Sequence, residues 1–123
     1  MAGARFEYDG CMTYRASYAA AYAGSIVGNG ECVAFVKKAA HAPASSTWSE
    51  GAAVHGNSHL TPGTVIACGW EHGVYPNHRH GNHAAIFDGQ EGNTIWVYDQ
   101  WHGHPVERRA KEHDPNKPYH VVE

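Results

Sequence analysis

Residues 83–101 read HAAIFDGQEGNTIWVYDQW, two apolar runs separated by a polar stretch with two glycines. Each run alternates with a period of two, the pattern of a half-buried strand. His83, Ala85 and Phe87 fall on one face of the first run, and Ile95, Val97, Asp99 and Trp101 share a face of the second. If DGQEGN closes a hairpin in which paired residue numbers sum to 182, His83 stands directly opposite Asp99. Side chains so placed have Cβ atoms about 4.5 to 5.5 Å apart, close enough for a carboxylate to hold an imidazole ring. A sum of 181 turns Asp99 to the other side, and in other registers Asp88 or Gln100 is the residue able to orient His83.

Working outward, Thr64 to Cys68 and Tyr119 to Val122 read as two further strands. Upstream, GNGECVAFVKKAAHAP carries a Gly/Asn turn (Gly28, Asn29, Gly30) followed by an apolar segment from Cys32 to Ala40, predicted to be a helix that ends before Pro43. Val33, Val36 and Ala40 fall on one of its faces, and Lys37 and Lys38 lie near its C-terminal end, where cations suit the macrodipole. Cys32 then sits in the first helical turn. Earlier still, Thr13 to Ala23 (TYRASYAAAYA) spaces Tyr14, Tyr18 and Tyr22 four apart, which predicts a helix capped by Thr13 and stopped by Gly24. Residues 43–63 are rich in small and polar residues and read as a long surface connection with a short helix from Trp48 to Val54. Helices first and strands after, without repeated βαβ alternation, indicate an α+β fold with a largely antiparallel sheet.

A chain of 123 residues has room for one hydrophobic core, so a single domain spanning 1–123 is expected. With 42% hydrophobic and 17% charged residues it is a packed chain and not a disordered one. Nine Lys and Arg against twelve Asp and Glu give a formal net charge of -3, which argues against nucleic acid or anionic lipid as partner. No run approaches the roughly 20 apolar residues needed to cross a bilayer, so membrane insertion is not expected. The opening MAGARFEYDG lacks the basic start and apolar run of a secretory signal, and synthesis in the cytoplasm is expected. Three Cys are an odd count and leave at least one free thiol.

That thiol suggests the chemistry. A cysteine at a helix N-terminus beside an imidazolium has a lowered pKa and is nucleophilic. Cys32 meets the first condition by position, although Glu31 beside it would oppose ionisation unless its side chain points away. His83 is the candidate base and Asp99 the candidate residue that orients it. Trp48, Trp70, Tyr75 and Trp101 are candidate walls of a substrate cleft. Eleven His support a rival reading, a zinc-dependent hydrolase, because His78 with His80 (HRH) and His102 with His104 (HGH) have the spacing that puts two imidazoles on one face of a strand. No HExxH is present, and the cysteine reading requires no metal and no cofactor. A non-catalytic binding module is the third class. Cys11 and Cys68 either pair in an oxidising compartment or remain free; the apolar run around Cys68 favours free thiols.

GNGECVAFV, TWSEGAAV, LTPGTVIA, YPN, GNHAAIF and WVYDQW, in that order, resemble the small papain-fold peptidoglycan amidases that bacteria deliver to one another by type VI secretion. These belong to the NlpC-like and CHAP-like cysteine peptidase group, and the sequence is most similar to the second amidase effector family. The resemblance runs from Gly28 to the C-terminus. It implies a papain-like fold with Cys32 as nucleophile at a helix start, His83 as base and Asp99 in the third position. It also implies metal-free cleavage of amide bonds in stem peptides or of the D-alanyl–diaminopimelate cross-link, in the periplasm of a target bacterium. The partners it implies are the peptidoglycan peptide, the secretion apparatus and a cognate immunity protein that occupies the cleft. The Ala- and Tyr-rich N-terminus with Cys11, and the histidines of the 70–83 loop, depart from the family pattern.

Overall fold

A six-stranded antiparallel sheet carries one α-helix on one face, so the α+β architecture follows the sequence expectation while the helix count does not. The computed structural model describes residues 3–8 and 11–123, with side chains from residue 13 onward. In chain order the elements are β1 (Gly3–Tyr8), β2 (Cys11–Ala16), α1 (Cys32–Ala40), β3 (Glu50–Ala53), β4 (Val65–Cys68), β5 (His83–Glu91), β6 (Thr94–Trp101), β7 (His104–Glu112) and β8 (His120–Val122). The large sheet is ordered β3-β8-β4-β5-β6-β7, and β1 and β2 form a separate antiparallel hairpin.

Alternation along β5 divides the core into two layers. Ala84 and Ile86 join Phe35, Val36, Ala39 and Ala40 of α1 beneath the helix, whereas Ala85 and Phe87 pack with Ile66, Ile95, Val97 and Val121 on the opposite face. α1 forms because its apolar residues recur at helical spacing. It ends at His41, which adopts the left-handed conformation (φ 53) two residues before Pro43.

The hairpin of β5 and β6 is longer than the sequence suggests. DGQE belongs to β5, and only Gly92 and Asn93 form the turn, with Gly92 at φ +58 where a two-residue turn favours glycine. Near the sheet end the pairs Ile86–Tyr98 and Phe87–Val97 sum to 184, not to 182 as anticipated: the two-residue turn sets a sum of 185 from Glu91–Thr94 to Gly89–Trp96, and a bulge at Asp88 lowers it by one. Both 184 and 182 are even, so His83 and Asp99 keep the same face but stand diagonal to each other, still within reach of long side chains.

Two predicted helices are replaced by other structure. Within 13–23, residues up to Ala16 lie in β2, paired with β1 from Gly3–Ala16 to Tyr8–Cys11, and Ala19–Tyr22 is a short 3-10 turn. Thr13 is a buried strand residue and not a helix cap. An alanine-rich stretch this short is marginal as a helix alone, and tyrosines fit a pleated surface well, so pairing with the preceding segment wins. Between Trp48 and Val54 the chain forms β3, which pairs with β8 at Glu50–Val122 and Ala53–His120. That partner is some seventy positions away in sequence and invisible to local periodicity. β7 went unread because only Val106 along it is buried.

Gly30 (φ +86) packs against Gly103 of the β6–β7 turn, and a Cβ at Gly30 would come within 2.9 Å of Gly103 Cα. Gly56 also has positive φ (+76) but open space around it. Left-handed backbone costs a non-glycine residue roughly 1–2 kcal/mol. Gly30→Ala should therefore lose more stability in urea unfolding than Gly56→Ala, which carries the conformational cost alone; equal losses would contradict the close approach.

Candidate active site

α1 begins at Cys32 with no side chain capping it; the Ala34 N–H bonds the Glu31 carbonyl at 3.1 Å, and the Cys32 and Val33 N–H groups have no intrahelical partners. Cys32 is 9% exposed and lines a cleft of about 560 Å³ together with His83 and Trp101. Glu31 is exposed, and its carboxylate is not among the largest influences on the thiol.

His83 joins the two faces of the sheet. It is the first residue of β5, at the sheet end nearest the start of α1, and its Nε2 donates to Asp99 Oδ2 at 2.7 Å. Its other ring nitrogen, Nδ1, is left for the Cys32 sulfur, to which the ring is hydrogen-bonded. The structure thus brings together Cys32, His83 and Asp99, the three residues singled out in the sequence.

Asp99 is fully buried, and its carboxylate is saturated. Besides His83 it accepts Arg109 Nε on Oδ1 at 2.8 Å and Arg109 Nη2 on Oδ2 at 2.7 Å, with Lys111 Nζ at 3.8 Å from Oδ2. Burial alone would raise its pKa, but the hydrogen bonds and charges of Arg109 and His83 outweigh burial and hold it down to about 2. Arg109 also lies over the Trp101 ring at 3.6 Å, which fixes the guanidinium from its other side. Burial likewise lowers the His83 pKa and raises that of Cys32. The bond to Asp99 and the bond and charge of Cys32 nevertheless leave His83 above its ordinary value. The bond and charge of His83, the Ala84 backbone and the Tyr75 hydroxyl leave Cys32 below its own. The opposed shifts move the pair in the direction of thiolate and imidazolium.

The four aromatic candidates separate. Trp101 lines the cleft. Trp48 and Tyr75 are each 2% exposed and pack with Trp70 in a cluster whose ring centroids lie 5.0 Å (Trp48–Tyr75) and 5.7 Å (Trp70–Tyr75) apart. These three are therefore not among the cleft-lining residues. The Tyr75 hydroxyl is buried without a conventional hydrogen-bond partner and lies against the Cys32 sulfur, a contact with the reacting atom in place of the anticipated contact with substrate. Of the paired histidines only His104, the first residue of β7, lies in a strand, so neither pair presents two imidazoles on one strand face. His80 lies in a bend and His78 pairs with Glu71 at 3.1 Å, while His102 and Gly103 form the β6–β7 turn and His104 stacks on Trp101. Among the described residues no group of three or more His, Cys, Asp or Glu is arranged to hold a metal ion. Cys68 is a buried free thiol paired across the sheet with His83, its pKa raised by burial; the side chain of Cys11 lies outside the described residues.

Sequence reasoning missed Arg109 and the role of Gln100. Arg109 stands opposite Val97 in β7, and the alternation of Val106, Arg108 and Ala110 against Glu107, Arg109 and Lys111 was the available signal. Gln100 is fully buried; it accepts Val27 N–H at 2.9 Å and donates to the carbonyls of Val27 at 2.7 Å and Glu31 at 2.9 Å. It anchors the loop that delivers Cys32 and does not touch His83 in place of Asp99.

Compared with known proteins, residues 7–119 match the family model described as domesticated amidase effector 2. A type VI secretion amidase effector 2 protein of Salmonella typhi is 50% identical over 71 residues, covering 58% of this chain and 53% of that protein. Domesticated amidase effector 2 of Ixodes scapularis is 40% identical over 83 residues, covering 64% of this chain and 56% of that protein. The chain thus spans about half the length of the curated relatives it matches. A solved structure of type 6 secretion amidase effector 2 superposes with a TM-score of 0.80 at 36% identity, over 89% of this chain and 94% of that one, which makes the fold papain-like.

The Asp99 pKa sets an acid limit. A carboxylate held near 2 against an ordinary 3.8 contributes stability that is complete above about pH 4 and is lost as pH falls towards 2. At 1.36 kcal/mol per unit this is roughly 2 kcal/mol. Urea unfolding of the wild-type chain should show that loss across this window, and Asp99→Asn should be less stable at pH 7 with the acid-dependent part removed; an unchanged acid profile in the variant would contradict the assignment.

Proposed function

The chain belongs to the domesticated amidase effector 2 family, and on that premise we propose that it is a cysteine amidase that hydrolyses an amide bond of peptidoglycan stem peptides or of the D-alanyl–diaminopimelate cross-link. The observation that carries this reading is a buried Asp99 carboxylate 2.7 Å from the His83 ring, with the Cys32 thiol interacting with the same ring and lining the same cleft. In the resting site Cys32 is the thiolate and His83 the imidazolium, with Asp99 fixing the ring orientation and stabilising its charge.

The thiolate attacks the amide carbonyl, and the C–S bond forms as the carbonyl oxygen becomes an oxyanion. The Cys32 and Val33 N–H groups at the start of α1 and the positive end of its dipole face that charge; a single such donor is worth on the order of 10²–10³ in rate. His83 gives its Nδ1 proton to the leaving amine as the C–N bond breaks, which leaves a thioester and a neutral ring. Neutral His83 then takes a proton from water as the water oxygen attacks the thioester, and collapse expels the Cys32 thiolate beside the restored imidazolium. The buried Tyr75 hydroxyl favours the thiolate over the thiol. The chemistry is complete without a metal or cofactor.

In this reading the chain is an antibacterial effector delivered by type VI secretion, acting on the cell wall in the periplasm of a target bacterium, with a cognate immunity protein as a cleft-blocking partner. Among the described residues no helix is long and apolar enough to cross a membrane. Purified wild-type chain incubated with isolated sacculi should release muropeptides, and Cys32→Ala should lower the rate on the order of a millionfold with its circular dichroism unchanged. Release at the wild-type rate by the variant would overturn the nucleophile, and full activity after thiol alkylation would favour a metal-dependent route.

A further inference from the structure

The cleft has the opposite electrical sign to the chain. The formal net charge is -3, yet the residues lining the cleft include two permanent cations, Lys37 and Arg79, against one carboxylate, Glu31. Lys37 projects from α1, five residues after Cys32, and Arg79 belongs to the loop that leads into His83. Among the described residues neither makes an ion pair, whereas Arg108 is engaged by Asp88 and Arg109 by Asp99. His80 and His102 add imidazole groups to the same lining. The loop that carries Arg79 is held in shape: Asn82 Oδ1 accepts His78 N–H at 2.6 Å, and Asn82 Nδ2 donates to the Gly69 carbonyl at 2.7 Å. Two cations borne by different elements and without an ion-pair partner among the described residues, in a cleft of ligand size, suit an anion. Arg supplies a planar fork suited to a carboxylate, and Lys a point charge.

We propose that Lys37 and Arg79 bind a free carboxylate of the substrate beside the scissile amide, so that the cleft selects stem peptides whose carboxyl group is ionised over those in which it is converted to a carboxamide. This rests on the amidase reading above and deepens it. In a D-alanyl–diaminopimelate cross-link the carbon bearing the scissile nitrogen also bears a carboxyl group, which is where such recognition would have the most leverage on the position of the carbonyl at Cys32. Neutralising that group removes one charge and one acceptor while leaving the scissile amide chemically unchanged. Lys37 and Arg79 are thereby specificity-determining residues that take no part in proton transfer.

The test uses two synthetic cross-linked stem-peptide dimers that differ only in carboxylate against carboxamide at that carbon. The wild-type chain should show a KM about tenfold lower for the carboxylate dimer, as one charge-assisted contact predicts, with kcat within a factor of two. Lys37→Gln/Arg79→Gln should bring the two KM values together with kcat retained, and Glu31→Gln should tighten the carboxylate dimer further. Equal KM values in the wild-type chain, or a preference that survives in the double variant, would overturn the proposal. If neither dimer is hydrolysed, the amidase reading fails on its own. Calorimetric titration of both dimers into the wild-type chain and the double variant then decides the anion site independently. A carboxylate preference lost in the double variant supports it, and equal or absent binding of the two dimers rejects it.

Discussion

One buried carboxylate holds the site together. An ionised Asp99 with no solvent exposure would be strongly unfavourable on its own, and the site is arranged so that it never stands alone: Arg109 engages both oxygens, Lys111 lies close by, and His83 donates from the end of the neighbouring strand. The order of strength matters. Arg109 holds the carboxylate charged well below the usual carboxylate range, and the charged carboxylate in turn favours the protonated ring. The ring then favours the thiolate. Each link carries charge toward the sulfur, although burial at every step opposes it.

The next residue in the strand performs the complementary task on the other face. Alternation along β6 sends Asp99 toward His83 and Gln100 toward the loop before α1, where its amide accepts one backbone N–H and donates to two carbonyls. Gly103 N–H adds a bond to the Gly30 carbonyl at 3.1 Å, made possible by the glycine-to-glycine approach. Both halves of the Cys32–His83 pair are therefore referenced to the same strand.

The parts of this arrangement that were legible from residues alone are those governed by short periods. The helix from Cys32 to Ala40, the strand Thr94 to Trp101 and the shared face of His83 and Asp99 all follow from local alternation. The register does not, because neither the two-residue turn nor the bulge at Asp88, which lowers the pair sum from 185 to 184, leaves a signal in the hydrophobic pattern; the shared face holds because 184 and 182 have the same parity. The helix expected over 13–23 failed because pairing with β1 outweighs a tyrosine spacing that also suits a strand, and the helix expected after Trp48 failed because β8 claims that segment from the far end of the chain. Arg109 was hidden among the charges of an exposed strand, and Tyr75 was assigned to a cleft wall when its ring is buried and its hydroxyl meets the sulfur.

The account depends on a chain of charge that ends in an ionised sulfur, and the pH at which that sulfur ionises measures it most directly. Ultraviolet thiolate absorbance of the wild-type chain, with Cys32→Ala subtracted to remove Cys11 and Cys68, isolates the titration of Cys32. A midpoint below the ordinary thiol value of 9.0 is the predicted result. A midpoint at or above that value would mean that burial dominates, that His83 does not charge the site, and that the resting pair is a neutral thiol and imidazole.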